Sequence, residues 1–298
     1  GGVKYFATLL VNGISIGSVY ALIAVGFVVV FKATRTLNFA HGSVVLLGVV
    51  VIARLNAHVS FWVALGAGVA AAALGTGLIY YLVMRRVEGS DEGTLEILTI
   101  GIDILLLTEL TRQIGNQILA TGAPWGATIV HPLGLRLPLG RVVAIIVAPL
   151  LLATLAWLFE RTDWGLAMRA AAADGETASL MGVRLQSVGL TAWVTAGVLA
   201  AVAGLFLASF PAAGVTPAIA LSALAAIPAW VVGGFDSIPG AIFGGLLIGI
   251  ASSITAGYQS DLTFLGRGLG SVTPWIVMVL VLLVRPDGLF GSRGTHRV

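Results

Sequence analysis

The chain has 298 residues, 58% of them hydrophobic and 10% charged, with a net charge of +3 and no cysteine. A soluble domain carries about 25% charged residues, so water is excluded as the main solvent of this surface. The absence of thiols excludes disulfides, thiolate metal sites and cysteine nucleophiles. The basic residues are scattered over loops, which fits a positive-inside bias and gives no nucleic-acid footprint. Apolar windows of about 20 residues recur throughout, which predicts an all-α polytopic membrane protein: a bundle of about 8–10 transmembrane helices with discontinuous segments, in one domain over residues 1–298. A β-barrel is excluded because its strands would alternate polar and apolar residues with period two.

In chain order the apolar segments fall at 5–31, 39–55, 61–84, 95–114, 141–159, 190–210, 219–233, 238–256 and 273–284. The start, GGVKYFATLL, has no basic region ahead of a short apolar core and is read as no cleaved signal. Between the first two segments lies TLNFAHGSVVLLG (36–48), a polar break followed by a small-residue helix. Asn38, His41, Gly42 and Ser43 are its candidate pathway residues. His41 has a second reading, as local hydrogen bonding that caps a helix beginning near Gly42. In the fourth segment Asp103 sits near the centre of TIGIDILLLTEL, with Glu96 two turns earlier on the same face. An ionisable group at membrane depth is a functional candidate by default, for a substrate ammonium or a proton. The competing reading is an acid satisfied by a neighbouring helix.

The connection 115–140 is rich in Gly and Pro and predicts turns rather than a helix. Residues 160–189, ERTDWGLAMRAAAADGETASLMGVRLQSVG, form a polar insert that cannot sit in hydrocarbon. They read as two short helices, with Gly175 breaking the alanine-rich run and Gly182 capping the second helix. A helical hairpin projecting from a membrane domain is a docking part. A second break, GGFDSIPGAIFGGLLIG (233–249), echoes the first and adds Gly233, Gly234 and Ser237 to the pathway candidates. The pairs Gly240/Gly244 and Gly245/Gly249 have small-x-x-x-small spacing, suited to helix approach within the chain or at a subunit interface. Placing 85–93, 160–189 and 285–298 in the cytoplasm puts the N-terminus outside. Trp62, Trp125 and Trp275 then lie near outer boundaries and Trp157, Trp164 and Trp193 near inner ones, as an aromatic belt would.

Both lysines, Lys4 and Lys32, lack the context of a phosphate-binding loop, and no H-E-x-x-H, G-x-S-x-G or metal-spaced cluster is present. A metabolic enzyme is disfavoured, and no cofactor is expected on this chain.

Together these motifs resemble the membrane-spanning permease subunits of bacterial ABC importers of the branched-chain amino acid type. NGISIGSVYALIAVGFVVVFKATRTLNFAHGS (12–43), GLAMRAAAADGETASLMGV (165–183), VVGGFDSIPGAIFGGLLIG (231–249) and LVRPDGLFG (283–291) carry the resemblance. It implies alternating access in the bacterial plasma membrane and partners in lipid: two cytoplasmic ATPases, a second related permease, most simply in a heterodimer, and an extracytoplasmic binding protein. Glu176, Ala178 and Gly182 match the family's Glu-Ala-Ala-x-x-x-Gly coupling pattern, from which Thr177 departs. With Arg169 and Asp174 these are the expected ATPase-coupling residues. Ala225 stands where members often carry Lys, and Phe235–Asp236 replaces a more usual apolar–Gly pair. Two other classes compete: an ion-coupled secondary transporter using Asp103, and a passive channel for a small neutral solute.

Overall fold

Each apolar run becomes a helix because a chain in lipid must satisfy its backbone polar groups within itself. The computed structural model describes residues 2–87, 91–211, 213–260 and 268–291. Its helices are α1 (Gly2–Thr34), α2 (His41–Asn56), α3 (Phe61–Leu82), α4 (Glu92–Ile114), α5 (Leu139–Arg161), α6 (Asp163–Ala173), α7 (Gly175–Leu180), α8 (Leu185–Leu207), α9 (Ala218–Leu224), α10 (Ala226–Gly233), α11 (Ile238–Gly257) and α12 (Leu269–Val284). A 3₁₀ turn, Met84–Arg86, extends α3. Two short strands, β1 (Ile129–Val130) and β2 (Leu137–Pro138), pair antiparallel, with Ile129 opposite Pro138. The connection 115–140 therefore holds turns, as its Gly and Pro content predicts, together with this hairpin and a 3₁₀ turn at Pro132–Gly134.

Five helical stretches are long and apolar enough to cross a membrane: α1, α3 with its 3₁₀ turn, α5, α8 and α11. Shorter apolar helices occur at α2, α9–α10 and α12. The chain is thus an all-α polytopic membrane protein. The segment 219–233, read as one run, is two helices meeting at Ala225, which caps α10. The aromatic belt is only partly observed. Trp62 and Trp157 are exposed, but Trp125 and Trp193 are buried. Trp193 packs against Tyr80 in a cluster with Val30, Met84, Leu95 and Ala196, and the Trp125 indole donates to Ser209 Oγ at 3.1 Å. Apolar periodicity cannot tell a lipid-facing ring from an inward one.

The chain divides into two compact units. The middle unit, 29–126 and 150–224, is built around α2, which packs on α3, α4, α8 and α9. Small residues set these crossings. A Cβ on Gly48 would lie 2.8 Å from the Ala201 Cβ, and one on Gly204 would lie 2.5 Å from the Val45 carbonyl. Such backbone approach supplies the dispersion contacts that hold helices together where lipid removes the hydrophobic drive. The terminal unit, 1–28, 127–149 and 225–298, packs α10 on α11 and both on α12. Here a Cβ on Gly13 would lie 2.6 Å from the Ile250 Cα, and one on Gly245 would lie 2.6 Å from the Ala21 nitrogen. Gly240 faces Gly233, and Gly244 faces the Ala229 carbonyl. The glycine pairs of α11 therefore serve helix approach within the chain. Phe27 stacks on Trp230, with ring centroids 5.1 Å apart.

Candidate functional site

Three places hold the residues that the sequence singles out. The first is the hairpin of α6 and α7. Thr162 caps α6, its hydroxyl accepting from the Gly165 N–H at 3.2 Å. The two helices meet at Asp174, not Gly175, which is the first residue of α7. Asp174 ends α6 and caps α7: its carboxylate accepts from the Thr177 N–H at 3.1 Å and the Thr177 hydroxyl at 2.6 Å. Aspartate is the better break because its side chain replaces a missing helical acceptor, which glycine cannot do. The Thr177 hydroxyl, then its N–H, holds the Asp174 carboxyl below the usual carboxylate range.

Gly182 closes α7 in the left-handed region, φ +89, with the Val183 N–H bonded to the Ala178 carbonyl and the Gly182 N–H to the Ser179 carbonyl, both at 3.0 Å. This is a Schellman closure, and its φ is what demands glycine. Ala178 is buried, whereas Leu180 and Met181 are each 82% exposed. Arg169 donates to the Phe159 carbonyl and lies over that ring at 5.6 Å, so it seats α6 on the end of α5. Among the expected coupling residues, Arg169, Asp174, Ala178 and Gly182 thus shape the hairpin. Glu176 lies in the first turn of α7 and its carbonyl accepts from Ser179. The exposed apolar tip, Leu180 and Met181, is what the sequence reading passed over. Its signal was two large apolar residues inside a polar insert.

Arg35 joins the hairpin to the second place. It ends α1 at φ +52, and its guanidinium donates to the Ala172 carbonyl, in the last turn of α6, at 2.6 Å. From there the chain runs through the first break to α2, which begins at His41 with Ala40 at the N-cap and no capping side chain. The capping role read for His41 is therefore not observed. His41 is buried. Two contacts fix the turn to α4. The Phe39 N–H donates to Thr99 Oγ1 at 3.2 Å, and that oxygen lies 3.1 Å from the Leu37 carbonyl. One turn along α4, the Ser43 hydroxyl donates to the Asp103 carboxylate and lies 3.2 Å from the Asp103 carbonyl. Asp103 is half-buried and is bonded through Oδ1 to Ser43 of the neighbouring helix α2. Gly42 meets the Ala220 carbonyl of α9, where a Cβ would lie 2.9 Å away. Asn38 is buried, and both its Nδ2 and Oδ1 lack a hydrogen-bond partner among the described residues. Each buried polar group left unmade costs about 1–3 kcal/mol.

The third place is the α10–α11 break. Gly234 is at φ +108, a conformation that excludes side chains, and Ser237 caps α11 by accepting from the Gly240 N–H at 3.0 Å. The tail closes this break from outside the helices. The Leu289 N–H donates to the Val232 carbonyl at 2.8 Å and the Phe290 N–H to the Gly233 carbonyl at 3.1 Å. A Cβ on Gly234 would lie 2.5 Å from the Gly291 nitrogen. Gly234 is accounted for by this approach of the tail, and Gly233 by the approach of Gly240 in α11. Among the described residues no group of His, Asp and Glu is placed to hold a metal.

A family model, the permease component of the branched-chain amino acid transport system, matches residues 9–284. The chain belongs to that family. It is 32% identical to the high-affinity branched-chain amino acid transport system permease LivH of Escherichia coli K12, over 99% of this chain and 98% of that one. The corresponding permease BraD of Pseudomonas aeruginosa is 28% identical over 99% of both chains. A probable LivH of Methanocaldococcus jannaschii is 29% identical over 95% of this chain and 92% of that one. This permease is accordingly a multi-pass protein of the inner membrane. The tail contacts lie beyond the reach of the motif alone, since nothing in LVRPDGLFG names the residues it pairs with.

Proposed function

We propose that this permease is the membrane subunit of an ATP-driven importer that moves a branched-chain or related amino acid by alternating access. Family membership is the observation that carries this reading, and the hairpin gives it a mechanism. One of two cytoplasmic ATPases docks on α6–α7, which Asp174, Arg169 and the Gly182 closure hold rigid. Glu176 and the exposed Leu180–Met181 tip make the contact. Movement of the hairpin passes through Arg35 to the first break, where Asn38, His41, Gly42, Ser43 and Asp103 border the solute path. Gly233, Gly234 and Ser237 shape the second break. A second related permease completes the pathway, and an extracytoplasmic binding protein delivers the solute. The chain itself binds no nucleotide and uses no cofactor, because neither lysine sits in a phosphate-binding loop.

The decisive experiment is uptake of radiolabelled leucine into liposomes carrying the permease with and without its ATPases. The expected result is uptake only with ATPases and ATP. Proton-driven uptake by the chain alone would establish the secondary transporter, with Asp103 as its coupling acid. Downhill flux without any energy source would establish the channel.

A further inference from the structure

The carboxamide of Asn38 is a polar group that the packing of the middle unit does not use. It is 1% exposed, and neither its donor nor its acceptor end is met among the described residues. Native interiors pair their buried polar groups, so an amide unmet at both ends calls for a guest that protein atoms do not replace. The neighbourhood restricts what that guest is. Asn38 immediately precedes Phe39, whose N–H is fixed on Thr99, and Thr99 stands one helical turn from Asp103. Ser43 engages Oδ1 of Asp103, while no hydrogen bond to Oδ2 occurs among the described residues. The turn therefore carries an amide donor and an amide acceptor at Asn38, and α4 carries one carboxylate at Asp103, one helical turn from the Thr99 contact that fixes Phe39. A neutral polyol would need the amide but not the carboxylate. An anion would be repelled by Asp103. A zwitterion matches all three, its carboxylate taking the Asn38 Nδ2–H and its ammonium meeting Asn38 Oδ1 and Asp103.

We propose that Asn38 and Asp103 together form the site at which this permease holds the ammonium–carboxylate head of an α-amino acid during passage. The assignment rests on the importer reading above and gives it a residue-level binding site. No side chain of the solute is specified by these two residues, so the site reads the head common to all α-amino acids and leaves side-chain choice to other groups.

The test uses the complete transporter in liposomes, with leucine as solute and ATP hydrolysis measured in parallel. Asn38→Leu keeps the size of the side chain and removes both polar ends. The expected result is a fall of about tenfold or more in leucine moved per ATP hydrolysed, the factor set by losing a hydrogen bond to a charged group, with inserted protein unchanged and a thermal midpoint unchanged or raised. Asn38→Asp should likewise lose leucine transport, because a second carboxylate repels the solute's own. If Asn38→Leu does not assemble, Asn38→Ser carries the same test, since a hydroxyl holds a water but has one proton and no amide geometry. Unchanged leucine per ATP in Asn38→Leu, or in Asn38→Ser where that variant takes its place, would overturn the site and leave the amide holding an enclosed water only. A wild-type complex that moves no leucine with ATP would instead defeat the importer reading, so the two failures are distinct.

Discussion

The two interrupted segments look alike as sequence, each a polar, glycine-containing step before a small-residue helix, yet they are built in opposite ways. At 35–40 the chain is held by a side chain: Thr99 ties it to α4, Ser43 does the same for the start of α2, and Asn38 remains unmet among the described residues. At 233–237 the closure is mainly by backbone: the tail lays Leu289 and Phe290 along Val232 and Gly233, Gly234 admits the tail and Gly233 admits α11, while the Trp230 indole adds one side-chain bond to the Phe235 carbonyl at 3.0 Å. A turn fastened through side chains leaves polar groups unmet by the chain's own backbone. One fastened through main chain is filled by the protein itself. The shared outline thus conceals a division between a step that offers chemistry and a step that offers mechanical closure.

The contrast is broken most severely at the second step. Gly234→Val places a branched side chain at φ +108 against the Gly291 nitrogen. Strain and overpacking together should cost on the order of 3 kcal/mol or more, read as loss of inserted, detergent-stable protein. Next in size is the hairpin tip. Leu180→Glu with Met181→Glu should abolish co-purification of the ATPases while leaving insertion intact, because both side chains are exposed and support no packing. Retention of the ATPases by the double variant would remove the tip from the interface. At the first step, Thr99→Val keeps shape but strands the Phe39 N–H, and should lower thermal stability by about 1–2 kcal/mol with reduced uptake. A Thr99→Ser control that restores both values would tie the effect to the hydroxyl.

The smallest effect concerns Asp174. Its folded carboxyl titrates below that of the unfolded chain, so its stabilisation is complete above about pH 3.9 and is lost as pH falls through the depressed folded value. Pepsin cleavage at the Leu180–Met181 tip should therefore rise more steeply on acidification in the wild type than in Asp174→Asn, whose amide caps at every pH. Parallel profiles would show that the cap does not govern the hairpin.

Much of the fold was legible because hydrocarbon imposes long apolar helices, and composition reports them directly. Legibility failed where the deciding partner lies far along the chain. Gly175 was the obvious breaker by propensity, but Asp174 makes the junction because it accepts from Thr177. Trp193 looked like a boundary residue until Tyr80 was found beside it. Asn38 was visible as a polar residue in a break. That its amide has no partner among the described residues is a property of everything packed around it. The role of the tail was hidden for the same reason, since backbone pairing at Val232 and Gly233 leaves little trace in residue type.

The bond from Arg35 to Ala172 has a kinematic consequence. Arg35 and Phe39 are separated by three residues, a span of at most about 14 Å even when fully extended, and the far side of that short tether is nailed to α4 at Thr99. A tether so short has almost no slack to absorb a displacement. When the hairpin is pushed, the Arg35 end must follow α6 while the Phe39 end resists, and the strain concentrates on the residues between them. Thr36, Leu37 and Asn38 thus behave like the flexure of a compliant hinge, bending where a longer loop would merely uncoil.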